Sequence, residues 1–263
     1  MTEDNWPLDT PQLGVVVLRP RSDELRGIPL FHELSASLID DLAKIGDVTG
    51  FGPDEDILLA GESPRALHIL LSGFAVETQE RLGRSVATDV VGPFCPIQLA
   101  QTLAGTPAKT RVKTITSARI VLLQALELRS LVQQQEELLR TMFTHTLRAV
   151  EFTAEQLRHI KLTSAVQRLA QFLLARMDLS AGPPGRIILP YEKRYLAGKL
   201  GCSQETLSRA FAALRKLGVA SKGSVVVVKD AVSLEGLARG VDVPNEPTSV
   251  AGPLHVEPAR RHA

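Results

Sequence analysis

The side chains with the most chemistry to offer lie in one short stretch, Gly201-Cys202-Ser203-Gln204-Glu205-Thr206-Leu207-Ser208-Arg209. Arg209 presents a fork of N–H donors that matches O6 and N7 of guanine, and Glu205 accepts from the N4 amino group of cytosine or orients Arg209. Gln204 and Ser208 donate or accept as the base edge requires. Such residues read bases only when a scaffold lifts them together. The spacing supplies one: Leu207, Phe211 and Leu214 follow i, i+4, i+7 on one helix, and Leu196 and Leu200 lie four apart on a helix before it. Gly201 suits the left-handed residue that ends the first helix, Ser203 suits the N-cap of the second, and small Ala197 allows a close crossing. Two helices joined this way make a helix-turn-helix, whose second helix enters a major groove.

Register on the phosphates falls to Lys199, Ser203, Thr206 and the Ser221-Lys222-Gly223 turn. Taken singly, Glu205 suits a helix N-terminus and Arg209 could pair with it one turn away. Cap, turn glycine and flanking wing together favour DNA reading. Cys202 reads as packing in the turn.

The preceding chain must position this head. Leu30, Leu34, Leu38, Leu42 and Ile45 have helical spacing, with Ser35 as a cap. From Asp47 to Leu123 the period changes to short β-favouring runs, Asp56–Ala60, Ala66–Ser72, Phe74–Gln79, Val86–Val91, Lys109–Thr114 and Arg119–Leu123, punctuated by glycines. Runs of this kind make a sandwich, roll or barrel, and an all-β cup can hold one small ligand. A short helix follows around Leu128, Leu131 and Val132, then a long one from about Glu136 to His159. Along the long helix Phe143, Leu147, Val150, Ala154 and Leu157 step 4, 3, 4, 3, which is a coiled-coil seam or an ordinary core stripe. The two-fold that paired DNA half-sites demand favours a homodimer seam.

A further helix spans Ser164–Met177, a strand Arg186–Leu189 enters the reading head, and Val225-Val226-Val227-Val228 completes a wing. The fold class expected is α+β: an antiparallel β-roll, a long dimerisation helix and a winged helix-turn-helix. The divisions are a leader over 1–26, a sensor roll over 27–135, the dimer helix over 136–160, the DNA-binding domain over 161–240 and a tail over 241–263.

At 263 residues the chain has room for two cores, and with a net charge of +1 any nucleic-acid affinity comes from a local patch. Its two cysteines, Cys95 and Cys202, give neither a disulfide framework nor paired metal-ligand spacing. With no membrane-length apolar run and no export signal, the expected location is the cytoplasm and no membrane partner is expected. Paired carboxylates, a nucleophile elbow, a phosphate loop and zinc spacing are all missing from the sequence, so an enzyme is not expected.

In this order of elements the chain resembles the cAMP receptor protein/fumarate-nitrate regulator (CRP/FNR) superfamily, over roughly Leu30 to Leu237. The most specific match is Gly201 to Arg209; His68–Glu77 and Gly92–Leu99 match more loosely. The resemblance implies that Glu205, Ser208 and Arg209 read a TTGAT-type half-site, with double-stranded DNA, a second copy of the chain and RNA polymerase as partners and with activation or repression as the output. Cyclic-nucleotide-binding members hold the ribose and phosphate with a G-E-L turn and an R-S pair. Here those places read Pro96-Ile97-Gln98 and Ala108-Lys109, with Lys109 and Arg111 offset, so cAMP is not expected. The cysteine group of iron–sulfur members is missing from residues 1–26. The family also offers haem: Cys95 follows Gly92-Pro93-Phe94 where a CO-sensing relative has its thiolate ligand, with His68 or His145 on the other side. Nitric oxide, CO or low oxygen would then be the input. The simpler reading of Cys95 is a small buried apolar residue. His32 and His159 read as surface residues. A roll that serves only as a dimerisation scaffold is the alternative to an effector-gated one.

Overall fold

The computed structural model describes residues 18–81, 83–177 and 184–240. It is an α+β chain. Two short helices, α1 (Ser22–Arg26) and α2 (Ala36–Lys44), precede strands β1 (Gly46–Phe51), β2 (Asp56–Leu58), β3 (Ala66–Ser72), β4 (Ala75–Arg81), β5 (Arg84–Val91) and β6 (Pro96–Ile97). Helix α3 (Leu99–Ala104) interrupts before β7 (Arg111–Thr114) and β8 (Ala118–Gln124), and α4 (Ala125–Gln134) leads into the long α5 (Glu136–Leu162). The remaining elements are α6 (Ala165–Leu174), β9 (Gly185–Ile188), α7 (Lys193–Lys199), α8 (Gln204–Arg215), β10 (Val219–Lys222), β11 (Val225–Val228) and α9 (Ala231–Ala238).

The strands of the first half form two antiparallel sheets, β1-β8-β3-β6 and β2-β7-β4-β5. Leu70, Ala75, Ile97, Val112 and Ile120 fill the space between them. Helices cover the outer face of the first sheet, where Leu67, Ile69, Val121 and Leu123 meet Leu25, Phe31, Leu42, Leu128, Leu138 and Met142. Strand β3 is therefore buried on both faces, which explains why Ala66–Leu70 is an unbroken buried apolar run apart from His68.

His68 stands directly opposite Ile97 and Leu122, on the face that Leu70 shares with the core between the sheets. Its Nδ1 is buried without a hydrogen-bond partner among the described residues, and burial pushes the imidazole down from 6.5 to about 4. The unfolded chain therefore binds this proton first as pH falls. His68 leaves stability intact above pH 6.5 and removes on the order of 3 kcal/mol by pH 4. Urea midpoints should fall across that window and the fall should flatten in His68→Leu; an equal fall in both proteins excludes His68 as its source.

Several boundaries differ from the sequence expectation. Helix α1 lies inside the stretch expected as leader, because Leu25 is fully buried beside Ile28 and Phe31. Strand β1, glycine-flanked and weak in β-formers, owes its place to its full register with β8 and to the Leu18–Val48 bridge. Helix α3 lacks an apolar period long enough to announce it. The long helix continues to Leu162. Ser35 occupies the N-cap of α2 but does not cap it; its backbone N–H and its hydroxyl both donate to the Glu137 carboxylate on α5, at 2.8 and 2.9 Å. Residues 1–17 and the tail expected over 241–263 lie outside the described residues. Among the described residues no helix is long and apolar enough to cross a membrane.

Candidate nucleic-acid interface

Helices α7 and α8 pack on α6 around Leu169, Leu173, Leu196, Leu207, Phe211 and Leu214, so the spaced apolar residues form one core. The turn between them follows from its residues. Gly201 takes φ +60, where a side chain would be strained and its Cβ would meet Ile160 of α5 at 2.8 Å. Ser203 caps α8, its hydroxyl accepting from the Thr206 N–H at 3.1 Å. The three-stranded sheet β10-β11-β9 forms the wing, and its tip at Lys222 and Gly223 is exposed.

With Leu207, Ala210 and Phe211 turned inward, Gln204, Glu205, Ser208 and Arg209 stand exposed along the N-terminal turns of α8. The structure brings these four together. Arg209 forms no ion pair with Glu205; its Nη2 donates instead to the Thr206 hydroxyl, at 3.4 Å. Ser203, Lys222 and Gly223 are exposed and Thr206 is half-buried. Ser221 accepts from Lys193 at 3.1 Å, tying the wing to α7.

Lys199, expected on a phosphate, is engaged elsewhere. Its ammonium donates to Asp89 Oδ1 at 2.7 Å and to the Val90 carbonyl at 3.3 Å, both on β5 of the roll. Around this contact Gly198 lies so close to β5 that a Cβ would stand 2.5 Å from the Ala87 oxygen. Phe74 meets Tyr191 edge-on at 5.6 Å, and Val76 and Val90 join the core of the reading head. The β4–β5 hairpin and α7 thus share a packed seam, while α8 stays open.

Sequence reasoning missed Arg168. It is buried on α6 and donates through Nε to Leu200 O at 2.8 Å and through Nη1 to the Ile160 and Thr163 carbonyls. One guanidinium thereby satisfies orphan carbonyls at the end of α5 and at the turn of the reading head, where a cation is favoured by the helix dipole. Its only trace in the sequence is the single charge on α6. Cys202 is half-buried nearby, and burial pushes its thiol up, which disfavours the reactive thiolate.

Along α5 the expected seam residues are presented outward: Phe143, Leu147, Val150 and Leu157 are between 49% and 62% exposed, and Ala154 is exposed with them. Leu139, 50% exposed, extends the stripe by one turn.

In the roll, Gln98 takes a left-handed φ of +46 and closes on its neighbours. Its amide donates to Thr110 O and Oγ1 at 3.0 and 2.8 Å and accepts from the Lys109 N–H at 3.3 Å. Thr110 donates onward to Glu77, whose carboxyl is pushed up chiefly by burial. Arg111 is held by Asp56 through two bonds of 2.6 and 2.7 Å. Cys95 is exposed rather than buried, because Phe94 before it adopts φ +63 and is itself 43% exposed. His68 points into packed apolar side chains, and His145 lies half-buried on α5. This arrangement does not fit a haem held between Cys95 and His68, since a macrocycle reaching His68 would have to displace Leu70, Ile97 and Ile120. Among the described residues no group of three or more His, Cys, Asp or Glu side chains could hold a metal. His159 bonds to Gln171 at 2.6 Å, and His32 to the Pro29 carbonyl at 2.7 Å.

Residues 167–237, spanning α6 to α9, match the family model described as the Crp-like helix-turn-helix domain. No curated protein matches the chain significantly. Among solved structures, a candidate cAMP-binding regulatory protein from Silicibacter pomeroyi is 24% identical, with 82% of this chain and 97% of that one covered and a TM-score of 0.60. FixK2 from Bradyrhizobium japonicum is 18% identical over 73% of this chain and 97% of its own, with a TM-score of 0.61. A transcriptional regulator of the CRP/FNR family from Thermus thermophilus is likewise 18% identical, over 73% and 98%, at 0.58. The chain carries a Crp-like helix-turn-helix domain over residues 167–237 and shares its fold with these solved structures.

Proposed function

We propose that the protein is a homodimeric transcription regulator that reads a TTGAT-type palindrome with Gln204, Glu205, Ser208 and Arg209. The observation that carries this reading is the exposure of those four side chains on one capped helix whose opposite face is core. Arg209, with no acidic partner among the described residues, keeps its donors available for a base. Ser203, Thr206, Lys222 and Gly223 then serve the phosphates. In this reading residues 27–135 sense, 136–160 dimerise and 161–240 bind DNA, with RNA polymerase as the downstream partner.

An effector in the roll would act through the β4–β5 seam with α7. Any ligand that displaced this hairpin would move Asp89 and Val90, and with them the Lys199 end of α7. The second reading, a roll that is only a scaffold, is favoured by one observation: Gln98, Thr110 and Lys109 already satisfy one another where relatives of this fold that bind cyclic nucleotides place theirs. Fluorescence anisotropy on a TTGAT-N4-ATCAA duplex tests the function. Binding at least about 1,000-fold tighter than to a scrambled duplex at equal salt is expected; equal affinities for the two would overturn the specificity.

A further inference from the structure

We propose that the β4–β5 hairpin sets the half-site spacing the dimer accepts, with Gly198 and the Asp89–Lys199 pair as its specificity-determining contacts. The inference rests on the DNA reading above and adds to it the part of the chain that aims α8.

Two residues join the head to the long helix. Thr163 and Ser164, between α5 and α6, are both extended, at φ −123, ψ 145 and φ −72, ψ 160. A joint of this kind holds position but leaves rotation to its torsions. The roll supplies a second hold. Val76 and Val90 of the hairpin are buried in the core of the head, with Phe74 and Ala87 packed at its edge. The roll is in turn fixed to α5, whose Leu138 and Met142 are buried among its helices and first sheet. A body gripped at two places cannot turn about either. Orientation therefore passes from α5 through the roll to α7, and from α7 to α8 through their shared core.

The closeness of this grip depends on a residue without a side chain. A Cβ at Gly198 would stand 2.5 Å from the Ala87 oxygen and 3.0 Å from its carbonyl carbon. Both atoms belong to backbone paired with Thr78 of β4, so they give way only if the hairpin moves. Alanine is the better helix former, so a glycine inside α7 serves the approach rather than the helix. Lys199 then fixes the register, its ammonium meeting Asp89 and the Val90 carbonyl. A partly exposed ion pair adds little stability by itself. Beside a steric contact, it selects one seating of α7 on β5.

One base pair more or fewer between half-sites turns one head against the other by about 35° and shifts it by about 3.4 Å. Heads free to turn at Thr163 and Ser164 would follow that change; heads held by the roll cannot.

Fluorescence anisotropy of the full chain at fixed salt tests the proposal, on duplexes with TTGAT half-sites separated by three, four and five base pairs and on a duplex with one half-site. The parent should prefer one spacing at least about tenfold, and Gly198→Ala and Asp89→Lys should each cut that preference to about threefold or less. Gly198→Ala should keep its affinity for the single half-site within about twofold. The uniform electrostatic effect of the added lysine cancels in the ratio between spacings. D89K/K199D, which restores the pair in reverse, should recover a preference above that of Asp89→Lys. A parent that binds every spacing alike, both variants keeping the parent's preference, or a loss in Gly198→Ala that is equal on the single half-site overturns the proposal. A parent that does not distinguish the single TTGAT half-site from a scrambled duplex fails the DNA reading itself, so the two failures are told apart.

Discussion

Replacing Leu147 and Val150 together by glutamate should turn the proposed dimer into a monomer and weaken binding to a two-half-site duplex at least about 100-fold. Helix α5 displays Leu139, Phe143, Leu147, Val150 and Leu157 to solvent, each between 49% and 62% exposed. An isolated helix gains nothing from such a stripe, and a contiguous exposed apolar patch of this length marks a partner surface. The steps of 4, 3, 4, 3 from Phe143 keep the stripe on one side, as a parallel pair requires. Burying each large side chain contributes on the order of 1.5–3 kcal/mol, so several per protomer suffice for a stable dimer. Two glutamates per helix would place four carboxylates across the seam without partners, which reverses the sign of the contact. The protomer itself should keep its fold, because neither residue contributes to a core within the described chain. Light scattering and anisotropy check both halves of the prediction. A variant that still elutes with the mass of the parent dimer would place the dimer contact elsewhere.

That the stripe is visible in the sequence, while its purpose stays open between seam and core, follows from what periodicity measures. Spacing assigns residues to a face; only the fold shows what stands opposite. The same holds across the molecule. Leu196, Leu200, Leu207, Phe211 and Leu214 announce two helices, and Gly201 and Ser203 their joint, because caps and left-handed turns are local chemistry. The strands of the roll are legible where β-formers run between glycines, and β1 is not, since its place depends on β8 and Leu18. Lys199 looks like a phosphate contact because its engagement with Asp89 joins residues 110 apart in sequence. Arg168 stays hidden for a related reason. Its partners are backbone carbonyls, which carry no residue-type signature. Cys95 misleads through its neighbour: an aromatic residue normally marks a core, but Phe94 turns outward.

Arg209→Ala should weaken binding to the palindrome by about 1–3 kcal/mol per half-site, hence about 2–6 kcal/mol for the dimer, and should do so at one base pair. The proposed half-site TTGAT contains one guanine, at its third position, and its complementary strand contains none, so the bidentate partner of the guanidinium is fixed by chemistry. Three features of the site separate this loss from a folding defect. Arg209 is exposed, its hydrogen bond to Thr206 is a long one, and the cap at Ser203 does not involve it. Unfolding free energy should therefore change by no more than about 0.5 kcal/mol. A double-mutant cycle gives the sharper result. Exchanging the third G·C pair for A·T should cost the parent protein heavily and cost Arg209→Ala less, because the guanidinium contact is already gone. Lys222→Ala should behave differently, weakening every sequence alike and lowering the salt dependence by about one phosphate contact per half-site. If Arg209→Ala loses affinity equally on both duplexes, the residue holds the backbone. Base reading would then rest on Gln204, Glu205 and Ser208.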